Sequence, residues 1–121
     1  MLNLDTHILV SMLAGDLSDR ELGLIQGERL VFSDIVLWEL AKMTRLGRLE
    51  MDLESPEFRL CLQSLIVVPI SLEIAQQSTQ LDFSSDPADE IIAATSIVED
   101  IPLLTRDRRI LKSRMVPFPK K

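Results

Sequence analysis

Cysteine, histidine and glycine are scarce in this sequence, and each shortage excludes a class of site. Cys61 is the only cysteine among 121 residues, which rules out an intramolecular disulfide. His7 is the only histidine, so a zinc site built from cysteines and histidines is excluded as well. Four scattered glycines form no phosphate-binding loop, and no Gly-x-Ser-x-Gly motif indicates a serine hydrolase.

Long apolar runs are also missing. The longest, such as Ile35–Trp38 and Leu65–Val68, are far too short to span a bilayer, and the N-terminus lacks the features of a signal peptide. With 46% hydrophobic and 26% charged residues, the composition is that of an ordinary globular protein. We therefore expect a single domain over residues 1–121, located in the cytoplasm and not associated with a membrane.

The net charge of −6 is unevenly distributed along the chain. Residues 1–105 carry 18 acidic and 6 basic side chains, whereas residues 106–121 carry seven basic side chains and one acidic side chain. The basic segment is suited to nucleic-acid phosphate or to an acidic segment of a partner. A solvated face that also compensates helix dipoles explains it equally well. The acidity of the whole chain argues against strong non-specific binding to nucleic acid.

Short apolar runs alternate with longer amphipathic segments, which predicts a βαβα order. The predicted strands are Leu2–Leu4, Leu30–Ser33, Leu65–Pro69, Leu103–Thr105 and Val116–Phe118. The first three predicted helices are His7–Leu13, stopped by Gly15, a helix from a Ser18–Glu21 capping box to about Gly27, and one from Ile35 to about Leu46 that is capped by Asp34. The remaining predicted helices are one from Ser55, Ser71–Leu81, one from Asp86 to about Glu99, and Asp107–Ser113. Strands of this kind, buried on both faces, indicate an α/β fold with a mainly parallel sheet and helices on each side.

Four acidic residues lie against apolar stretches rather than in charged ones: Asp5, Glu39, Asp89 and Asp107. A buried carboxylate is costly unless it is paired or bound to a cation. Asp5 and Asp107 follow predicted strands, and ligands of an open parallel sheet bind beyond the carboxyl ends of its strands. A shared cluster of carboxylates suits Mg²⁺ or Mn²⁺ and favours phosphodiester hydrolysis.

Three of the four acids also have a ready structural explanation. Asp5 and Asp107 suit the N-cap position of a helix. Asp89 suits the third position of a helix capped by Asp86, where an acid meets the positive helix end. Glu39 resists such an explanation, because it lies in mid-helix among apolar neighbours; the alternative is a surface ion pair with Lys42, three residues later.

Five segments of the chain share a recognisable order and spacing: Leu4–His7, Ser33–Ala41, Leu46–Leu49, Asp86–Thr95 and Leu103–Asp107. Together they resemble the PIN domain family, and most of all the VapC-type ribonuclease toxins of bacterial toxin–antitoxin pairs. The resemblance implies an α/β/α sandwich around a central, mainly parallel sheet. It also implies an endoribonuclease that depends on Mg²⁺ or Mn²⁺, acts on RNA and is neutralised by a cognate antitoxin.

The resemblance also assigns roles to individual residues. Asp5 corresponds to the central metal ligand, Glu39 and Asp89 to the next two acids of the cluster, and Asp107 to a fourth that often acts through water. The supporting hydroxyls are expected at Thr105 and, less directly, at Thr6 and Ser33.

Two departures from the family pattern affect the expected substrate contacts. Relatives often carry a histidine just before the Asp-Pro-x-Asp segment, where this chain has none between Leu81 and Ser85, and Glu90 stands where an arginine is common. We expect a weaker affinity for RNA or a different choice of substrate, with the four acids intact.

Other functions stay open at this stage. A PIN-like module that binds without catalysis and a housekeeping RNA-processing nuclease fit the same residues. A phosphoacceptor receiver domain fits poorly, since the acidic pair expected after its first strand is missing. The apolar content of the helices before Pro69 leads us to expect a homodimer.

Overall fold

A computed structural model describes residues 1–120 and contains one sheet of four parallel strands. The strands are β1 (Leu2–Leu4), β2 (Leu30–Ser33), β3 (Ile66–Val68) and β4 (Leu103–Leu104), in the order β3-β2-β1-β4. Because every pair is parallel, all four strands end at the same edge of the sheet.

Seven helices connect and cover these strands in the described residues. They are α1 (Thr6–Ala14), α2 (Asp19–Ile25), α3 (Ile35–Arg45), α4 (Pro56–Gln63), α5 (Leu72–Ser78), α6 (Pro87–Glu99) and α7 (Arg108–Leu111). Leu2, Asn3 and Leu4 are all buried although successive residues of a strand face opposite sides, so the sheet is covered on both faces. The expected α/β/α sandwich is confirmed. Every helix among residues 1–120 is too short or too polar to cross a membrane.

Several local predictions hold for physical reasons that the sequence already contained. Ser18 and Glu21 form the reciprocal capping box at the start of α2, with bonds of 3.1 and 2.9 Å. Gly15 ends α1 in the left-handed conformation, with φ of 73°. Ser55 caps α4 by accepting a bond from the Phe58 amide.

Other local predictions hold only in part or are wrong. Asp86 is the N-cap residue of α6, but its side chain makes no capping bond. The side chain of Asp34 caps no helix either; at α3 the Ser33 hydroxyl accepts a bond from the Ile35 amide instead. Asp34 has helical backbone angles rather than the extended ones of a capping residue. The segment 116–118 forms no strand: the Pro117 carbonyl accepts one bond from the Leu103 amide, and Pro117 itself has no N–H with which to continue a ladder.

The buried side chain of Asn3 connects the central strand to α6. Its amide nitrogen donates to the Ser96 hydroxyl at 2.9 Å and to the Ile92 carbonyl at 3.3 Å. Asn3 lies two residues before Asp5, and Ile92 lies one turn after Asp89. These two bonds therefore fix the helix that carries Asp89 relative to the strand that leads to Asp5.

Arg106 joins the loop after β4 to the first two helices. Its guanidinium donates to both carboxylate oxygens of the buried Glu21 at 2.8 and 2.7 Å, and to the Ser11 hydroxyl at 3.2 Å. The hydrogen bonds from Arg106 are the main reason that the pKa of Glu21 falls to about 2. The loop that carries Thr105 and Asp107 is thus tied to α1 and α2.

We predict that Glu21→Gln lowers the free energy of unfolding by about 1–2 kcal/mol at neutral pH, because the pair is charge-assisted but Arg106 is half-exposed. The pKa of Glu21 is depressed in the folded state, so its contribution is present above the ordinary value of 4.5 and is lost as the pH falls toward 2. Urea unfolding at several pH values measures this. A difference between wild type and variant that stays constant across that range would contradict the assignment.

Candidate active site

The candidate site lies at the edge of the sheet where the parallel strands end. Asp5 directly follows β1, and Thr105 directly follows β4, its neighbour in the sheet. Glu39 lies in the second turn of α3, and Asp89 lies in the first turn of α6, which packs against α3. The parallel topology thereby brings residues separated by a hundred positions to one place.

Asp5 is the most buried of the four acids, with only 3% of its surface exposed. The Thr105 hydroxyl donates to Oδ2 of Asp5 at 2.6 Å, whereas the buried Oδ1 has no hydrogen-bond partner among the described residues. Burial raises the pKa of Asp5 above its ordinary value, although the bond from Thr105 acts in the opposite direction. Asp5 begins α1 but makes no side-chain capping bond, so the simpler explanation for this acid is wrong.

Glu39 is half-buried and accepts a short hydrogen bond from the Thr6 hydroxyl. Burial is the largest cause of its raised pKa, and the nearby charge of Asp5 raises the pKa further. The alternative of a surface pair with Lys42 is wrong: the Lys42 ammonium lies 5.5 Å from the centre of the Trp38 ring, and no Glu39–Lys42 ion pair forms within residues 1–120.

Asp89 is held by a residue that the sequence argument did not single out. The Ser85 hydroxyl donates to Oδ2 of Asp89 at 3.0 Å, and the Ser85 amide donates to Glu90 at 3.2 Å. Burial, followed by the charges of Asp5, Glu39 and Asp107, raises the pKa of Asp89 to about 6. A serine four residues before the acid was the available signal. Glu90, the departure from the family pattern, helps to position that serine.

Asp107 combines a structural role with proximity to the other acids. Its Oδ1 accepts bonds from the amides of Arg109 at 2.8 Å and Ile110 at 3.4 Å, so it is the N-cap of α7 as the simpler explanation held. Its own amide donates to the Thr105 hydroxyl at 3.0 Å. Its charge also raises the pKa of Asp5 and of Asp89, so it belongs to the same electrostatic cluster.

The three hydroxyls expected to support the acids differ in their contacts. Thr105 and Thr6 bond directly to Asp5 and Glu39, respectively. Ser33 is fully buried and caps α3, so it acts on Glu39 only through the start of the helix.

The acids influence one another electrostatically without forming a compact metal cage. Within the described part of the chain, no three His, Cys, Asp or Glu side chains are grouped so that they could hold a metal ion as they stand. Glu39, Asp89 and Asp107 are each drawn to a hydroxyl or amide donor of their own. This is the arrangement expected of like charges that repel one another.

A surface cleft of about 370 Å³ opens beside Asp5. It is lined by Asp5, His7, Val10, Ser11, Arg106 and Asp107. His7 is exposed at its rim and makes no hydrogen bond within residues 1–120, while its charge favours the ionised forms of Asp5 and Glu39. Of the four acids, Asp5 and Asp107 therefore border a cleft that is open to solvent.

Known structures resemble this fold over its whole length. A toxin–antitoxin complex from Klebsiella pneumoniae has 20% identity and a TM-score of 0.74, with 100% of this chain and 99% of that chain covered. VapBC2 from Rickettsia felis, bound to a DNA fragment from its promoter, has 18% identity, a TM-score of 0.73 and coverage of 98% and 97%. FitAcB from Neisseria gonorrhoeae has 21% identity, a TM-score of 0.69 and coverage of 99% and 97%.

The sequence comparisons give one assignment. No curated protein matches the chain significantly. The family model of the PIN domain, however, matches residues 3–114, which include the edge strands β3 and β4 and all four acids. The chain therefore belongs to the PIN domain family.

Proposed function

We propose that this protein is an endoribonuclease that depends on Mg²⁺ or Mn²⁺ and serves as the VapC-type toxin of a toxin–antitoxin pair. It would hydrolyse phosphodiester bonds of RNA in the cytoplasm. Membership of the PIN domain family supports a nuclease, and the similar solved structures are toxin–antitoxin complexes.

The observation that carries the proposal is the unpartnered Oδ1 of Asp5. A buried carboxylate oxygen without a donor is unfavourable in a folded protein unless a ligand satisfies it. Burial raises the pKa of Asp5 and of Asp89; the charges of Asp5, Glu39 and Asp107 raise the pKa of Asp89 further, and the charge of Asp107 raises that of Asp5, so ionising this region is costly. A positive ligand relieves both penalties, and no basic side chain of the described residues makes an ion pair with these four acids.

The residues present fit a hard divalent cation. All four candidate ligands are carboxylates and the supporting groups are hydroxyls, the oxygen donors that Mg²⁺ and Mn²⁺ prefer. Asp5, Glu39 and Asp89 would hold the ion, and Asp107 would complete the set. When bound, such an ion lowers the pKa of a water molecule and offsets the negative charge that builds on the phosphate.

The protein's own contribution is to hold these groups in place. Thr105 orients Asp5 by donating to Oδ2, which leaves Oδ1 without a hydrogen bond and free to act as a metal ligand. The Asp107 amide bonds the same hydroxyl and so fixes the direction of its proton toward Asp5. Thr6 and Ser85 restrain Glu39 and Asp89 in a similar way, and the adjoining cleft admits the RNA strand.

Two protein partners belong to the proposal. An antitoxin that neutralises the enzyme would cover the acidic site, and a basic side chain of that partner suits its charge. A second copy of the chain would cover an apolar groove of about 410 Å³, which Trp38, Ile70 and Ile91 help to line and where Trp38 is 55% exposed.

We predict that Asp5→Asn lowers the rate of RNA cleavage by about 100-fold or more, since even residues that only support a metal ligand contribute 10–100-fold. The variant should fold and should be no less stable than wild type, because burial already disfavours the charge of Asp5. The test is cleavage of a mixed RNA pool with Mn²⁺ and with EDTA. Glu73→Gln removes an exposed carboxylate of α5 and is the matched control. Equal cleavage by wild type and Asp5→Asn would refute the site.

We predict that Mn²⁺ raises the Tm of the protein and that the rise grows with pH. Saturation to about 100 times Kd adds about 2.7 kcal/mol, equivalent to several degrees in a domain of this size. Because the pKa of Asp89 is raised to about 6, the folded protein without metal binds more protons than the unfolded chain, and its stability falls as the pH rises through that range. Metal binding needs the ionised acids, so the stabilisation by metal increases as the pH rises. A Tm rise that is independent of pH, or one retained by Asp5→Asn, would contradict this.

We predict that the protein is a dimer of the 13.7 kDa chain and that Trp38→Glu dissociates it, because a charge would replace an exposed apolar contact. Light scattering measures the mass of wild type and variant, with Trp38→Phe as the conservative control. A wild-type mass of one chain would exclude the dimer.

A further inference from the structure

The short helix α7 carries a group of cations directly beside the acidic site. Ile110 is completely buried and anchors the helix, whereas Arg108, Arg109 and Lys112 are exposed. These three form no ion pair with any described residue. Lys112 lies three and four positions from the two arginines, so the side chains are neighbours on the surface. We refer to Arg108, Arg109 and Lys112 as the basic patch.

Structural roles explain the other arginines of this segment but not the patch. Arg106 is bound to both oxygens of Glu21 and to Ser11, so its charge is already neutralised. Arg114 lies beside Asp82, which accepts a bond from its amide and is stabilised by its charge. Compensation of a helix dipole does not explain Arg108 and Arg109, since they are the first two residues of a helix of four.

The patch adjoins the point where a scissile phosphate would lie. Asp107, one of the four acids, immediately precedes Arg108, and its carboxylate bonds the Arg109 amide. A polyanion that reaches the acids must overcome their repulsion as well as the net charge of −6. Unpaired cations next to the acids supply attraction that depends on phosphate and not on base sequence. Arginine also matches the geometry of phosphate with its planar fork of donors.

We propose that the basic patch binds backbone phosphates of the RNA strand next to the cleavage site. This rests on the proposed function, because it takes RNA as the ligand of the acidic edge. Because the basic patch adjoins the four acids, RNA is favoured over an acidic segment of a protein. An RNA strand whose scissile phosphate lies at the acids has its next phosphates within reach of α7. Arg106 takes no part, since its donors are occupied.

The test measures binding without cleavage. A fluorescein-labelled, single-stranded oligouridylate is titrated in EDTA at several KCl concentrations, and its anisotropy is followed. The variant Arg108→Gln/Arg109→Gln/Lys112→Gln should bind at least about tenfold more weakly at low salt. The plot of log K against log [salt] should become less steep, with a slope about 2 less negative, as expected for three lost contacts to a single strand. The exposed positions leave its Tm unchanged.

The matched control is Arg29→Gln/Arg48→Gln/Arg59→Gln, which removes the same charge from three exposed positions. These lie in the loop before β2, in the loop after α3 and in α4, respectively. It should keep most of the affinity and the salt slope. Equal binding by wild type and patch variant would overturn the proposal, and so would an equal loss in the control. Patch-dependent capture of a glutamate-rich peptide with unchanged RNA binding would overturn it in favour of a protein partner.

The experiment also separates this inference from the proposed nuclease activity. If the patch binds RNA but no metal condition yields cleavage, the nuclease proposal fails and the RNA surface stands. If wild type and patch variant cleave and bind RNA equally well, the patch proposal alone fails.

Discussion

Asp5 is a carboxylate buried at the junction of β1 and α1, and contacts from several elements of the fold hold its side chain in position. One of its oxygens accepts a bond from Thr105, which the neighbouring strand β4 places beside it. The other oxygen is buried and unpartnered, in a region where burial and the charges of Asp5, Glu39 and Asp107 raise the pKa of Asp89. Such an arrangement lowers stability and persists where a function depends on it.

The supports of this region come from several layers of the fold. Asn3 links β1 to α6 through two buried hydrogen bonds, and this sets the position of Asp89 relative to Asp5. The Arg106–Glu21 pair ties the loop after β4 to α2, and the Asp107 amide bonds the hydroxyl of Thr105. Because each of these bonds is only one or two contacts away from Asp5, breaking any of them would displace its side chain. Packing and site geometry are therefore closely coupled in this domain.

The seven basic residues near the C-terminus do not form one functional unit. Arg106 is a structural residue, with every donor group directed to α1, α2 or the loop between them. The basic patch faces solvent beside the acids, where its charge offsets the acidity of the rest of the chain. The charge asymmetry visible in the sequence thus divides into a part that folds the site and a part available to a ligand.

The sequence by itself determined the features that depend on neighbouring residues. Alternating apolar runs located the four strands, the Ser18–Glu21 box and Gly15 marked helix ends, and the acids at strand ends and helix starts indicated one site. Only the tertiary structure decided the Arg106–Glu21 pair and the absence of a strand at 116–118. Local propensity acts over a few residues, whereas these outcomes depend on which segments the folded sheet brings together. Pairing at the edge of a sheet also requires backbone N–H groups in the neighbouring segment, which a proline lacks.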